Sequence, residues 1–158
     1  MMNNQSTEAL TLKETLSQHG FAVVQGKGTS MLPLIANTRD RMCIKPLDRE
    51  PKKYDILVYS NPHGIIAHRA MKREKDGTLI MCGDNQIRTE VLKPDAVIGY
   101  VHGILRGERY IELPKPLWYK IYVRLWCASL FLRRCALFVL RRTSRTYKAE
   151  TAYMRAQK

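Results

Sequence analysis

The feature that most constrains the fold is a series of short apolar runs between Gly20 and Pro114, separated by turn residues. The runs are rich in Val, Ile and Tyr, which favour strands, and Lys75-Asp76-Gly77 between two of them is a hairpin signal. Seven strands are predicted, at residues 21–24, 41–45, 54–59, 65–73, 78–82, 96–101 and 109–113. This pattern predicts a mainly β fold, either a coiled antiparallel sheet or a small barrel.

A short helix is predicted before the first strand. Within residues 7–19, Leu12 and Leu16 stand four apart on one helix face, and Gly20 is a typical helix stop. Residues 1–6 are expected to be frayed. The chain then divides into an N-terminal helix at 1–20, a sheet domain at 21–113, an amphipathic basic helix at 114–142 and a flexible basic tail at 143–158.

Positive charge is concentrated at the C-terminal end. The 158 residues carry a net charge of +13. From Lys115 to Lys158 there are eleven Lys or Arg and one acidic residue, a net of +10, so residues 1–114 carry only +3. Such an asymmetry favours a polyanionic partner: lipid headgroups, nucleic acid or an acidic protein.

The segment 117–142 reads as one amphipathic helix. A helical projection places most of its cations in one sector, with Arg133 outside it, while apolar residues fill most of the circumference. That much apolar surface makes nucleic acid an unlikely partner. The charge-free run 125–132 is far shorter than the roughly 18 residues that span a bilayer. The residues expected at a membrane interface are Trp118, Arg124, Trp126, Arg134, Arg141 and Arg142. The alternative is a helix packed on the sheet domain with its cations facing water.

No metal or cofactor is predicted. Cys43, Cys82, Cys127 and Cys135 show no CxxC spacing and no nearby histidine ligand pattern. The N-terminus has neither the basic nor the apolar segment of a secretory signal. We therefore expect a cytoplasmic protein with reduced thiols, and the basic helix allows a peripheral position on the inner membrane face.

Ser30 is the first candidate for chemistry. It lies in Gly26–Pro33, an octet whose two glycines, Gly26 and Gly28, permit a tight turn after a strand. A serine on such a turn can present its hydroxyl to a cleft beside its own amide. The alternative is a strand-to-turn connection that happens to contain serine.

A serine nucleophile needs a base, and His68 lies amid apolar residues on a predicted strand. It is either a structural histidine or a neutral imidazole that accepts the serine proton. His63, on a predicted turn at 61–64, is a weaker candidate. Asp84 and Glu90 follow the histidine strand, and either could orient an imidazole.

Four motifs in this order resemble the S24/S26 serine peptidase superfamily, which includes type I signal peptidases and the self-cleaving domains of LexA-type repressors. The resemblance covers residues 21–106. The motifs are Ser30-Met31-Leu32-Pro33, His68-Arg69, Gly83-Asp84-Asn85 and Val97-Ile98-Gly99-Tyr100-Val101. Residues 55–59 also match a strand of the family, with Tyr54 where glycine is usual.

The resemblance implies a mostly β catalytic fold and a serine endopeptidase. By that match Ser30 is the nucleophile, and His68 stands where many members have a lysine base. Glu90 lies near the supporting acid, which is usually Asp. Asp84 matches the family's Gly-Asp turn, in a supporting or structural role.

The resemblance also implies an oxyanion hole that uses the Ser30 amide. Signal peptidases often add a serine hydroxyl two residues before the nucleophile, where this chain has Gly28. Either that donor is missing or Thr29 replaces it. The small, anchorless members that occur beside peptide-maturation systems are the most similar, so the expected substrate is a leader or precursor peptide. The alternative is a peptide-binding module that keeps the fold without catalysis.

Overall fold

Eight strands form one antiparallel sheet in this computed structural model, which describes residues 4–61 and 64–156. The strands are β1 (Ala22–Val24), β2 (Asp40–Lys45), β3 (Ile56–Asn61), β4 (Gly64–Arg73), β5 (Leu79–Cys82), β6 (Glu90–Leu92), β7 (Val97–Arg106) and β8 (Arg109–Glu112). The helices are α1 (Asn4–His19), α2 (Leu117–Ala128), α3 (Leu130–Thr143) and α4 (Arg145–Ala156), and a 3₁₀ turn covers Pro94–Ala96.

The strand order is β1-β2-β7-β3-β4-β5-β6, and β8 pairs with the end of β7. The mainly β class and the antiparallel sheet are confirmed. The barrel alternative is wrong, because β1 and β6, at the two ends of the order, are not paired with each other. Each of these two end strands has only three residues.

All seven predicted strands are present, with shifted ends. The additional strand β6 was not predicted, because its three residues begin with Glu90 and give too short an apolar pattern. The N-terminal helix is confirmed and extends back to Asn4, so residues 4–6 are helical rather than frayed. Gly20 ends it with a φ of 72°, which favours glycine. Residues 62 and 63 of the predicted turn, His63 among them, lie outside the described residues.

The first four residues of the central strand β3, Ile56–Tyr59, are buried on both faces of the sheet, which is why this part of its sequence is apolar. Ile56 and Val58 join a core that includes residues of α1 and α2, while Leu57 and Tyr59 join a second core with β4 and β5. Successive strand residues point to opposite faces. Residues of β4 therefore also divide between the two faces.

The predicted single helix over 117–142 is wrong, because the chain breaks at Ser129 into α2 and α3. Ser129 has an extended backbone, and its hydroxyl accepts a hydrogen bond from the Leu132 amide at 3.4 Å, so it caps α3. The sector of cations drawn for one continuous helix therefore does not describe a single face. Within the described residues, no helix combines the length and apolar character needed to cross a membrane.

The predicted flexible tail is also wrong, because residues 145–156 form helix α4. Tyr147 and Glu150 of this helix are buried. Glu150 Oε1 accepts hydrogen bonds from the amide and hydroxyl of Thr38, at 2.6 and 2.7 Å. These contacts with a residue 112 positions earlier stabilise a helix whose own sequence is mostly polar.

Candidate active site

Ser30 starts a tight turn that the Gly83-Asp84-Asn85 segment holds in place. The Leu32 amide donates to Thr29 O at 3.2 Å within this turn. The Asn85 amide donates to Ser30 O at 2.7 Å, and Asn85 Nδ2 donates to Thr29 O at 3.0 Å. The Ser30 backbone is therefore fixed from a second loop, while its hydroxyl forms no hydrogen bond with any residue in the described ranges.

Gly83 has to be glycine because of how closely the two loops approach. A Cβ atom at this position would lie 2.7 Å from Ser30 O, closer than side chains tolerate. The Gly-Asp-Asn turn identified in the sequence thus has a structural role. It brings a backbone amide against the serine loop without a side chain in between.

His68 is buried in the middle of β4, and its Nδ1 is hydrogen-bonded to Glu90 Oε1. The Tyr59 hydroxyl lies 3.1 Å from the same nitrogen and also donates to Glu90 Oε1. No described residue occupies His68 Nε2. An Nδ1–H donated to a carboxylate leaves the lone pair on Nε2, which is the tautomer a general base needs.

Strand register explains why Glu90 reaches His68. Met81 on β5 pairs with Ala70 on one side and with Glu90 on the other. Ala70 is two residues from His68 on β4, so all four side chains belong to the same sheet face. The Glu90 side chain is 37% exposed, whereas that of His68 is only 7% exposed.

Ser30 and His68 line the same cavity, which has a volume of about 610 Å³. Its polar lining also includes Lys27, Asn37 and Gln86. The two residues predicted as nucleophile and base thus share one solvent-accessible space. Their 38 positions of separation in sequence are bridged because the 83–86 turn, which follows the β5 residue paired with Arg69, is hydrogen-bonded to the serine loop.

Donors for an oxyanion can be compared at this cavity. Thr29 does not line it. The predicted substitute donor is therefore displaced from the reacting space, and the Ser30 amide remains the backbone candidate. Gln86 is a second candidate that the sequence analysis missed. Its Oε1 accepts from the Gly83 amide at 3.2 Å, which leaves its NH₂ group without a partner in the described residues.

Tyr59 was not assigned a site role from the sequence. Burial, followed by the hydrogen bond to Glu90, raises the pKa of its hydroxyl, so Tyr59 stays protonated and donates to the carboxylate. Strand pairing is the signal that could have found it. Leu57 is opposite His68, and a residue two positions along on the same face is its diagonal neighbour.

Asp84 is directed away from the imidazole and pairs with Arg69. Arg69 Nε and Nη2 donate to its two oxygens at 2.7 and 2.6 Å, and both side chains are fully buried. Burial alone would lower the pKa of Arg69, but the charge of Asp84 and its hydrogen bonds raise it. Of the two predicted roles for Asp84, supporting or structural, the geometry corresponds to the structural one.

Helix α2 covers this buried pair. The Tyr122 hydroxyl donates to Asp84 Oδ2 at 2.9 Å, the Tyr119 hydroxyl accepts from Arg69 Nη1 at 2.9 Å, and Trp126 Nε1 donates to Asp84 O at 2.9 Å. Trp126 was assigned to the membrane interface from the sequence. That assignment is corrected, because its indole bonds the 83–86 turn and stacks on Tyr122.

Helix α3 binds the same turn through two arginines. Arg133 is buried, and its Nη1 donates to Gly83 O and Gln86 O, both at 3.3 Å. Arg141 Nη2 donates to Asn85 O at 2.9 Å. The membrane-interface assignment of Arg141 is corrected accordingly. Arg133, which fell outside the projected cation sector, is the buried arginine of α3.

Within the described ranges no three His, Cys, Asp or Glu side chains are grouped in a way that could hold a metal ion. Comparison of the chain with protein-family models, with curated proteins and with solved structures found no match. The superfamily resemblance therefore rests on the four motifs and is a proposal.

Proposed function

We propose that this chain is a serine endopeptidase of the signal-peptidase-like type that cleaves a leader or precursor peptide. The observation that carries the proposal is the arrangement around one cavity. Ser30 and His68 both line it, and Glu90 holds the imidazole through Nδ1. A hydroxyl, a base and an acid that orients the base are the parts that acyl transfer requires.

In this mechanism His68 Nε2 takes the proton of Ser30 Oγ as that oxygen attacks the scissile carbonyl. The imidazolium is stabilised by Glu90 and returns the proton to the leaving amine when the peptide C–N bond breaks. Water then attacks the acyl-enzyme by the same proton route. The Ser30 amide and the Gln86 carboxamide are the proposed donors to the oxyanion.

An adjoining groove favours an extended peptide as substrate. It has a volume of about 780 Å³, is mostly apolar and runs between α1 and the end strand β1. Gly26, Lys27 and Met42 line both this groove and the Ser30 cavity. A peptide with apolar residues in the groove could therefore extend into the adjoining Ser30 cavity.

A non-catalytic peptide-binding module of the same fold is the second candidate. One observation favours it: the Ser30 hydroxyl forms no hydrogen bond with a described residue, His68 included. This candidate predicts peptide capture in the groove without cleavage.

The two candidates are separated by incubating the protein with a peptide library prepared from a digested proteome and mapping new termini by mass spectrometry. We expect cleavage by the wild type and at least about a thousandfold loss in Ser30→Ala and in His68→Ala. Ser17→Ala and His102→Ala, which make the same replacements outside the cavity, should cut normally. Melting curves establish that all four variants fold. A wild type that binds peptides but cuts none, or a Ser30→Ala variant that still cuts, rejects the peptidase.

A further inference from the structure

We infer that the outward faces of α2 and α3 form a docking surface for an anionic lipid membrane. The name docking surface refers below to the exposed apolar residues of these helices together with the cations beside them. The apolar residues are Leu117, Trp118, Ile121, Leu125, Phe131, Leu132, Phe138 and Val139. The cations are Lys120, Arg124, Arg134 and Arg142.

The exposed apolar residues are concentrated rather than scattered. Of the fourteen large hydrophobic side chains exposed in the described part of the chain, eight belong to α2 and α3. Leu125 and Phe131, on either side of the break at Ser129, are 70% and 72% exposed. Single exposed hydrophobics are ordinary, but a group of this size marks an interaction surface.

Helix geometry shows that these residues occupy a distinct face. In α2 the inward side chains are Tyr119 and Val123, whereas Leu117, Ile121 and Leu125 recur every four residues on the opposite side. In α3 the inward side chains are Arg133 and Leu137, and Phe131 and Phe138 lie on the solvent side. Each helix therefore has one face on the protein and one apolar face without a partner.

The cations identify the partner as anionic. Lys120, Arg124, Arg134 and Arg142 form no ion pair with any residue of the described ranges. The Arg142 guanidinium lies over the Phe138 ring, 3.5 Å from its centroid. Apolar side chains directly beside unpaired cations match the boundary between acyl chains and acidic headgroups.

Other occupants fit these observations less well. A second copy of the chain would bring the same unpaired cations against this surface and be repelled, given a net charge of +13 on each copy. A nucleic acid would be met by polar and cationic side chains rather than by a group of eight exposed hydrophobics. The inference does not depend on catalysis, so it stands or falls separately from the peptidase.

The test is sedimentation of the full chain with vesicles of phosphatidylcholine containing about 30% phosphatidylglycerol, compared with pure phosphatidylcholine. We expect binding to the anionic vesicles that weakens as salt is raised. Leu125→Glu should reduce the partition coefficient at least about tenfold. Val91→Glu is the matched control, because Val91 is 71% exposed on β6, and it should bind like the wild type.

The cations are tested separately. Replacing Lys120 and Arg124 with Gln should weaken binding about twenty-fivefold, since each cation near an acidic surface contributes about fivefold. The same charge change at Lys13 and Lys93 should have a much smaller effect. Trp118 emission should shift to the blue on vesicle binding, and Trp118→Phe should remove that shift.

Several results would overturn the inference. They are a wild type that stays in the supernatant, equal binding to neutral vesicles, or a Leu125→Glu variant that is folded and binds undiminished. A dimer in sedimentation velocity that Leu125→Glu dissociates would assign the surface to a second copy instead. Tighter retention by duplex DNA or RNA than by vesicles at the same salt would assign it to nucleic acid.

Discussion

His68 and Arg69 are neighbours on β4, yet their side chains lie in opposite kinds of environment. His68 lines a cavity, and its partner Glu90 is 37% exposed. Arg69 and its partner Asp84 are fully buried beneath the tyrosines of α2. Each residue has a nitrogen-containing side chain that is hydrogen-bonded to a carboxylate. The two sites therefore differ chiefly in how far solvent reaches them.

The difference shows how one strand can serve two purposes. Under the proposed function His68 exchanges a proton with a substrate, which requires access from the cavity, and its Nε2 forms no hydrogen bond with a described residue. A group that holds two loops together is better isolated, because a low dielectric strengthens the pair once both charges are buried. The Arg69–Asp84 pair fixes the turn that in turn fixes Ser30, so the closed site supports the open one.

The largest expected effect on stability comes from breaking the closed site. Asp84→Ala leaves the Arg69 guanidinium buried without its carboxylate, which should lower the free energy of unfolding by about 3–5 kcal/mol. Urea denaturation followed by circular dichroism measures it. The matched variant Glu90→Ala, on the open site, should lose less, about 1–3 kcal/mol, because the buried His68 and Tyr59 lose a shared acceptor but remain within 3.1 Å of each other. Equal losses in the two variants would mean that burial does not distinguish the pairs.

Asp40 extends the comparison to a second buried carboxylate and a pH dependence. Burial alone would raise the pKa of Asp40, but hydrogen bonds from Arg39, Arg106 and the Ala36 amide outweigh burial and lower it. Asp40 therefore stabilises the fold above its unfolded-state pKa, near 3.8, and this stability is lost as the pH falls from there through the lower pKa of the folded state.

Asp40→Asn should cost about 1.5–3 kcal/mol at neutral pH, the range for hydrogen bonds to charged groups. It should also flatten the decline of the melting temperature in acid. Melting curves recorded across the acid range measure both effects. A variant whose acid decline is as steep as that of the wild type would show that other carboxylates control it.

The smallest expected effect on stability is that of Glu90→Gln, within about 1 kcal/mol, because the carboxylate is partly exposed. If the cavity is catalytic, cleavage should nevertheless fall at least about tenfold, since an amide cannot stabilise the imidazolium as a carboxylate does. Peptide cleavage and urea denaturation of the same preparation measure the two quantities. A loss of stability that accounts for the loss of cleavage would remove Glu90 from the mechanism.

The local sequence pattern was sufficient to predict much of the fold. The strands followed from apolar runs between turn residues, and Gly20 marked the end of α1. Strand β6 was missed because three residues carry little pattern. Helix α4 was missed for a different reason: its buried Glu150 is hydrogen-bonded to Thr38, and no local pattern contains a contact that distant.

The candidate site, like the fold, could be predicted from the sequence only in part. Ser30, His68 and the two carboxylates could be named from the sequence. The residues alone left open which carboxylate meets the imidazole, and only the family resemblance pointed to Glu90. Asp84 is nearer to His68 along the chain, yet the register of β4, β5 and β6 brings Glu90 to it. Tyr59 and Gln86 were not recognised, because their roles depend on a diagonal strand neighbour and on a turn hydrogen bond.

The sequence by itself determined where the backbone turns, which runs become strands and which side chains carry reactive groups, because these depend on neighbours a few positions away. Only the tertiary structure decided that Glu90 binds His68, that Asp84 binds Arg69, and which faces of α2 and α3 point inward. Those outcomes depend on strand order, register and packing between distant segments. Short-range periodicity in the sequence does not predict them.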